Sequence, residues 1–246
     1  MNYNKVAELY YTRRKDKQRF DYNRDIDVPA IIKMVGNVKN KTILDVACGF
    51  GDHARVLSQK GAKQIIGFDL SQKLIKYAQE SKIPRTEFVI GNMDKKFLFK
   101  KNTFDIVICS LAIHYTKNLD KLFAQIYRLL KPKGIFVYST GHPIFNMINS
   151  SPKYLIGAMK KGNKRIIYGD YFNEYFQLNN LGTLGWMKMR NFTYQTLIRT
   201  ALKNNFEILD YVDAKPVPSS KKYDPNKFEL TSKLPTFILF KLKKKK

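Results

Sequence analysis

The stretch that most constrains this chain is Thr42–Asp52, TILDVACGFGD: a short apolar run that ends in an acid and passes at once into a loop with two glycines. Thr42 to Val46 is β-branched and apolar without helical spacing, so it reads as a buried strand. Asp45 is the anomaly within it. A carboxylate near the end of a buried strand is costly unless it is hydrogen-bonded, and a place at the mouth of a sheet beside a ligand would supply partners. Gly49 and Gly51 lack Cβ atoms, so the loop can turn tightly and let a ligand approach, while a helix beginning near Asp52 aims its free N–H groups at the same spot.

Two cofactor classes use such a loop. Gly49, Gly51 and Ala54 satisfy the dinucleotide pattern G-x-G-x-x-G/A, and Asp69 lies 20 residues beyond Gly49, the spacing of a ribose-binding acid. Asp45 argues the other way: a carboxylate just before the loop repels a pyrophosphate and attracts a cation. The run ILDVACGFG resembles the first motif of the class I S-adenosylmethionine-dependent methyltransferases, whose cofactor carries a sulfonium and an ammonium. Further motifs follow in the family's order: G-F-D-L-S at 67–71, G-N-M-D at 91–94, the apolar run FDIVICS, and L-K-P-K-G with the strand after it. The resemblance covers residues 41–140. Ala47 departs from it, since the family more often has glycine there.

The resemblance implies an α/β, doubly wound (Rossmann-like) seven-stranded, mostly parallel sheet with an antiparallel last strand, and S-adenosyl-L-methionine as cofactor. It implies a cofactor-binding set of Asp45, Ala47, Cys48, Gly49, Gly51, Asp69, Leu70, Met93, Asp94, Ser110 and Tyr22. Asp69 would accept both ribose hydroxyls, Asp94 the adenine amine, and Met93 would lie against the ring. His114 leaves the fourth strand where open α/β sheets bind ligands, and is a candidate general base or substrate orienter with an ordinary pKa near neutrality. The H-P pair at His142 resembles a subgroup similar to quinone-biosynthesis enzymes, which makes His142 a candidate for the acceptor pocket. Tyr11 and Tyr22 are candidates for an N-terminal tyrosine that walls the methyl pocket.

Periodicity supplies the rest of the layout. Strands are expected at 42–46, 64–68, 86–90, 104–110, 135–140, 206–212 and 237–242, with helices running to about Val38, over 53–59, 72–81, 118–130 and 192–204. One domain, 1–246, is expected: an N-terminal cap (1–40), a cofactor-binding core (41–140), a substrate-binding insertion (141–190) and a C-terminal helix with strands (191–246). In the insertion the strand–helix alternation breaks down. It carries Tyr154, Tyr168, Tyr171, Phe172, Tyr175, Phe176 and Trp186 interleaved with Lys160, Lys161, Lys164 and Arg165, as a lid that selects substrate would.

With 246 residues, a single domain of this kind can bury a real core. Two cysteines, Cys48 and Cys109, suggest no disulfide framework, and three scattered histidines without C-x-x-C support no metal site. No run reaches the roughly 18 apolar residues of a membrane span, so a cytoplasmic protein is expected. The formal charge of +25 fits either a polyanionic partner or a lysine-rich composition, since ten of the 45 basic residues are Arg. The leading reading is methyl transfer to a small-molecule acceptor at an O, N or C atom. Alternatives are a methyltransferase acting on RNA or another polyanion, and a non-catalytic cofactor-binding subunit.

Overall fold

The computed structural model describes residues 3–143, 157–168, 171–181 and 184–245. Tyr154 lies outside the described residues. Strands β1 (Thr42–Val46), β2 (Gln64–Asp69), β3 (Thr86–Ile90), β4 (Phe104–Cys109) and β5 (Leu130–Gly141) alternate with helices α3 (Asp52–Gln59), α4 (Gln72–Glu80) and α5 (Leu119–Leu129). Helices α1 (Ala7–Lys15) and α2 (Val28–Val35) precede the first strand, with a turn of π-helix, Asn23–Asp27, between them. Helix α6 (Tyr194–Lys203), β10 (Phe206–Asp213), α7 (Pro225–Lys233) and β11 (Phe237–Lys244) complete the chain.

The seven main strands lie in the order β10-β11-β5-β4-β1-β2-β3. Strands β1 to β5 pair in parallel, and β11 runs antiparallel between β5 and β10, as expected. The order reverses at β1, flanked by β2 on one side and β4 on the other, which places a crevice beyond the carboxyl ends of these two strands.

Alternation along the strands sorts the core into two layers. Leu44, Val46, Val107, Phe136 and Tyr138 pack with Phe123 and Ile126 of α5 and Leu197 of α6. Ile43, Ile65, Ile106, Ile108 and Val137 pack with Ile31 and Val35 of α2, Leu57 of α3 and Ile75 of α4. Asp45 shares the parity of Ile43 and therefore belongs to the α2–α3 side.

Three local expectations differ from the structure. Helix α2 stops at Val35, before Gly36 with φ +77°, rather than running to Val38. Lys131–Gly134 does not separate helix from strand; it bulges within β5, where Phe104 pairs with Leu130 and Ile106 with Ile135. Where no helix is expected between residues 213 and 236, a 3-10 turn, Pro218–Lys222, leads into helix α7, capped by Asp224 accepting from the Lys227 N–H. The aromatic insertion contains two hairpins, β6 (Gly157–Lys161) with β7 (Lys164–Tyr168), and β8 (Phe176–Asn180) with β9 (Trp186–Arg190). Among the described residues no helix is long and apolar enough to cross a membrane, and no group of His, Cys, Asp and Glu can hold a metal ion.

Candidate active site

A cavity of about 1080 Å³ opens at the switch point. Its floor comes from the loops that leave four parallel strands: Ala47 and Gly49 after β1, Asp69 and Leu70 at β2, Met93 and Asp94 after β3, and Ser110 and His114 after β4. Tyr3, Tyr10 and Tyr22 close it from the N-terminal side, and Leu181, Trp186 and Met189 from the β8–β9 hairpin.

The glycine loop owes its shape to left-handed backbone. Gly49 has φ +56°, and a Cβ placed there would meet nothing within 4 Å, so the space above it is open for a ligand. Gly51 has φ +86°, and a Cβ there would stand 2.8 Å from the Phe88 ring. Ala47 also has φ +58°, in a region an L-residue enters at a cost of about 1–2 kcal/mol. The glycine common in the resembled family would remove that cost, which accounts for the family's preference but not for the alanine here. Leu111, with φ +46°, is another non-glycine residue in this region of backbone conformation, and it too lines the cavity.

Asp69 is fixed by the backbone. Its Oδ2 accepts the Gly49 N–H at 3.0 Å and its Oδ1 accepts the Ser71 N–H at 2.8 Å. Burial raises its pKa, against the lowering influence of the hydrogen bonds from Ser71, Gly49 and Leu70. Asp94 accepts from the Thr116 hydroxyl at 2.6 Å and the Lys117 N–H at 2.9 Å, both through Oδ1. The Ser110 hydroxyl donates to Asp27 Oδ2 at 2.5 Å, an acid the sequence reading did not single out.

Asp45 and Cys48 are not on the cavity wall. Asp45 is 1% exposed beneath the loop, and its Oδ2 has no hydrogen-bond partner. Burial pushes its pKa up to about 7, with the charge of His53 opposing the rise. His53 Nε2 lies 3.5 Å from Asp27 Oδ2, an ion-pair distance too long for a good hydrogen bond. Burial disfavours the His53 cation, yet the Asp27 and Asp45 carboxylates outweigh it and raise the pKa. A small buried set of Asp27, Asp45 and His53 thus underlies the floor. Cys48 is buried against the strand, its N–H on the Phe68 carbonyl at 3.0 Å, and its thiol pKa is pushed up by burial.

His114 lines the cavity, with Nδ1 3.1 Å from the Thr140 hydroxyl and its ring edge-on to Tyr115. Burial lowers its pKa to about 4, so it is neutral at physiological pH. His142 is elsewhere. Its N–H donates to the Thr236 carbonyl, and its Nε2 lies 3.1 Å from Asp213 and 2.9 Å from the Tyr194 hydroxyl, bracing the end of β5 to β10 and α6.

The N-terminal tyrosines divide by helical phase. Ala7, Tyr10 and Arg14 share one face of α1, and that face meets the glycine loop. Tyr10 and Tyr3 line the cavity, and the Tyr3 hydroxyl bonds that of Tyr115 at 2.9 Å. Tyr11 falls on the neighbouring face, stacked on Tyr77 of α4 at 4.4 Å and edge-on to Phe50, away from the cavity. Arg14, missed from the sequence, carries its guanidinium into a nearly closed site, bonded to Asp21 Oδ1 at 2.5 Å and to Asp52 Oδ2 at the start of α3. The i, i+4 pair Tyr10–Arg14 was the available signal. Of the hairpin residues, Trp186 stood out among the aromatics of the insertion, while Leu181 and Met189 left no signal, because a lone Leu or Met does not say which way it faces.

The family model for the methyltransferase domain matches residues 44–138. A Listeria monocytogenes protein solved and described as an S-adenosylmethionine-dependent methyltransferase superposes with a TM-score of 0.73 at 27% identity, covering 89% of this chain and 96% of that one. The demethylmenaquinone methyltransferase of Lactococcus lactis is 26% identical over 155 residues, 58% of this chain and 61% of that protein. The mouse protein named arginine-hydroxylase NDUFAF5, mitochondrial, is 32% identical over 128 residues, 51% of this chain and 36% of that protein. The matched stretch holds the four loops that floor the cavity, and the likeness to the Listeria monocytogenes protein covers 89% of the chain: residues 44–138 carry a methyltransferase domain, in a chain similar to S-adenosylmethionine-dependent methyltransferases.

Proposed function

We propose that the chain transfers the methyl group to a small-molecule acceptor bound in the same cavity, at its β4–β5 end. The observation that carries this reading is the lining of the cavity: aromatic rings from the N-terminal segment and a β-hairpin border a space of about 1080 Å³, just above the roughly 300–1,000 Å³ usual for ligand pockets and suited to two ligands together. The name of the Lactococcus lactis relative, with a ring compound as acceptor, agrees with it. The mouse relative's name denotes another reaction, so likeness over half of the chain does not by itself fix the chemistry.

When bound, S-adenosylmethionine supplies a methyl group on a sulfonium, which departs from a neutral thioether that needs no proton. The residues then have to bind, align and exclude water. Asp69, already oriented by two backbone N–H groups, keeps lone pairs for both ribose hydroxyls. Met93 would lie against the adenine, and Asp94, its Oδ1 committed to Thr116 and Lys117, would offer Oδ2 to the amine. Gly49 and Ala47 give backbone contact where side chains would intrude. His114, neutral and tied by Nδ1 to Thr140, presents Nε2 to the acceptor as an orienting group, since a pKa near 4 makes it a poor proton sink. Tyr22, packed on Phe20 and Phe237, walls the acceptor end.

The test is a cell extract incubated with the protein and cofactor labelled in its methyl group, then separated by size. Label in the small-molecule fraction is expected. Label confined to RNA or protein overturns the assignment, and RNA would favour the polyanion reading suggested by the charge of +25.

A further inference from the structure

The β8–β9 hairpin has two chemically different faces. Cross-strand pairing sets Gln177 opposite Met189 and Asn179 opposite Met187, and this face turns inward: Met187 is 7% exposed, and Asn179 and Met189 line the cavity. The other face holds Leu178 opposite Lys188 and Asn180 opposite Trp186. Here Leu178 and Trp186 are each 54% exposed, and just ahead of β8 stand Phe172 at 82% and Tyr175 at 81%. Large apolar side chains left in water along one short segment mark an interaction surface rather than a fold requirement.

We propose that this outer face docks on an anionic lipid bilayer, laying Leu178, Trp186 and Phe172 into the interface with Lys188 at the headgroups. Three observations select that occupant. The chain carries a formal +25, so a second copy would be repelled and an anionic partner attracted. From residue 157 to 203 the acids are Asp170 and Glu174, and Glu174 is turned onto the Thr193 N–H and the Thr196 hydroxyl, so it does not oppose an anionic surface. The face combines aliphatic Leu178 and indole Trp186 with a lysine, as side chains of interfacial elements do, whereas the neighbouring Arg190 is stacked on Phe192 at 4.9 Å and donates to the Glu174 carbonyl instead of standing free as a phosphate fork. Trp186 also borders the cavity, so docking would bring the mouth of the site to the lipid. The proposal does not depend on which acceptor is methylated.

Trp186 is the sole tryptophan, which makes it the reporter. Full-length protein is mixed with vesicles of phosphatidylcholine alone, or of phosphatidylcholine and phosphatidylglycerol in equal parts, and both Trp emission and co-flotation are read. A blue shift and flotation with the anionic vesicles only, weakening as salt is raised, are expected. The double variant Phe172→Ser, Leu178→Ser and the single variant Lys188→Glu should each bind about tenfold or more weakly, from lost apolar burial and a reversed charge. S-adenosylhomocysteine binding checks that each variant is folded, and Lys188→Glu serves if the double variant is not. Emission unmoved by anionic vesicles overturns the proposal. So does flotation of Lys188→Glu equal to the parent, which would move the binding to lysines elsewhere, or an emission shift with poly(U) and none with vesicles.

Discussion

The two ends of the cavity are built differently. The cofactor end rests on four loops leaving adjacent parallel strands, and its key acid is held by N–H groups of the main chain, Gly49 and Ser71 on Asp69. The acceptor end is assembled from pieces distant in sequence: tyrosines before the first strand, the end of β5, a hairpin near residue 180 and the start of β11. Its contacts are between side chains, such as Tyr3 with Tyr115 and His114 with Thr140. Backbone-fixed geometry tolerates sequence change and conserves one ligand. Geometry made by side chains on separable segments can be re-cut for a new acceptor without disturbing the sheet.

Substitutions on each side test that division. The largest effect is expected for Asp69→Ala, which removes a carboxylate that orders the glycine loop and that, in the proposed site, would hold the ribose. S-adenosylhomocysteine affinity should fall about a hundredfold or more by calorimetry, given roughly 1.5–3 kcal/mol for a hydrogen bond to a charged group. Unchanged affinity would remove Asp69 from the site. Arg14→Ala comes next. It releases the α1 segment from Asp21 and Asp52, and a buried guanidinium lost from its partners typically costs about 2–4 kcal/mol. Faster amide exchange over residues 3–27 and about tenfold weaker ligand binding are expected; exchange that stays slow would show that the aromatic packing alone holds the cap.

Ala47→Gly should act in the opposite direction. Relief of φ +58° is partly offset by the entropy of glycine, leaving a gain of about 0.5–1 kcal/mol and a small rise in Tm. A fall in Tm would mean that the Ala methyl packs better than its backbone suffers.

The remaining two measurements vary pH. Asp45 has a folded pKa raised to about 7 from an unfolded value near 3.8, so the native state holds the extra proton between them, and stability should decline as pH rises through that window. His53, also raised, contributes stability below its unfolded pKa of 6.5 and loses it as pH climbs through the folded value, a change of the same sign. Denaturant titrations of Asp45→Asn should therefore show a shallower decline than the parent. The smallest effect concerns His114, whose pKa near 4 puts no ionisation of its own between pH 6 and 8. A limb in kcat/KM near pH 6.5 that disappears in His114→Asn would reinstate it as a general base.

The contrast between the two ends also explains what could be read in advance. Strand β1 falls at Thr42–Val46 as its apolar run predicts, because it is covered on both faces, while β3, at Thr86–Ile90 on the sheet edge with Glu87 and Ile90 exposed, was legible from its β-branched and aromatic residues. Asp69, Met93, Asp94 and Ser110 come to the cavity because each closes or directly follows a parallel strand, a position that the chain order fixes. Asp45 was the informative oddity, yet its role is changed: strand parity turns it to the α2–α3 side, under the floor with His53 and Asp27 rather than onto the wall.

Sequence by itself therefore determined the alternation of strands and helices, from local patterns of two and 3.6 residues, while the inserted antiparallel strand and the expected cofactor end were legible through the resemblance that the motifs of residues 41–140 carry. Tertiary structure alone decided that Tyr3 and Tyr10 line the cavity while Tyr11 stacks on Tyr77, that His142 braces Asp213 and Tyr194, and that Trp186 and Phe172 face water. One residue is 100° of rotation on a helix and half a turn on a strand, so adjacent residues of identical chemistry face different neighbours. Those neighbours lie far away in the chain, and only the folded packing brings them within reach.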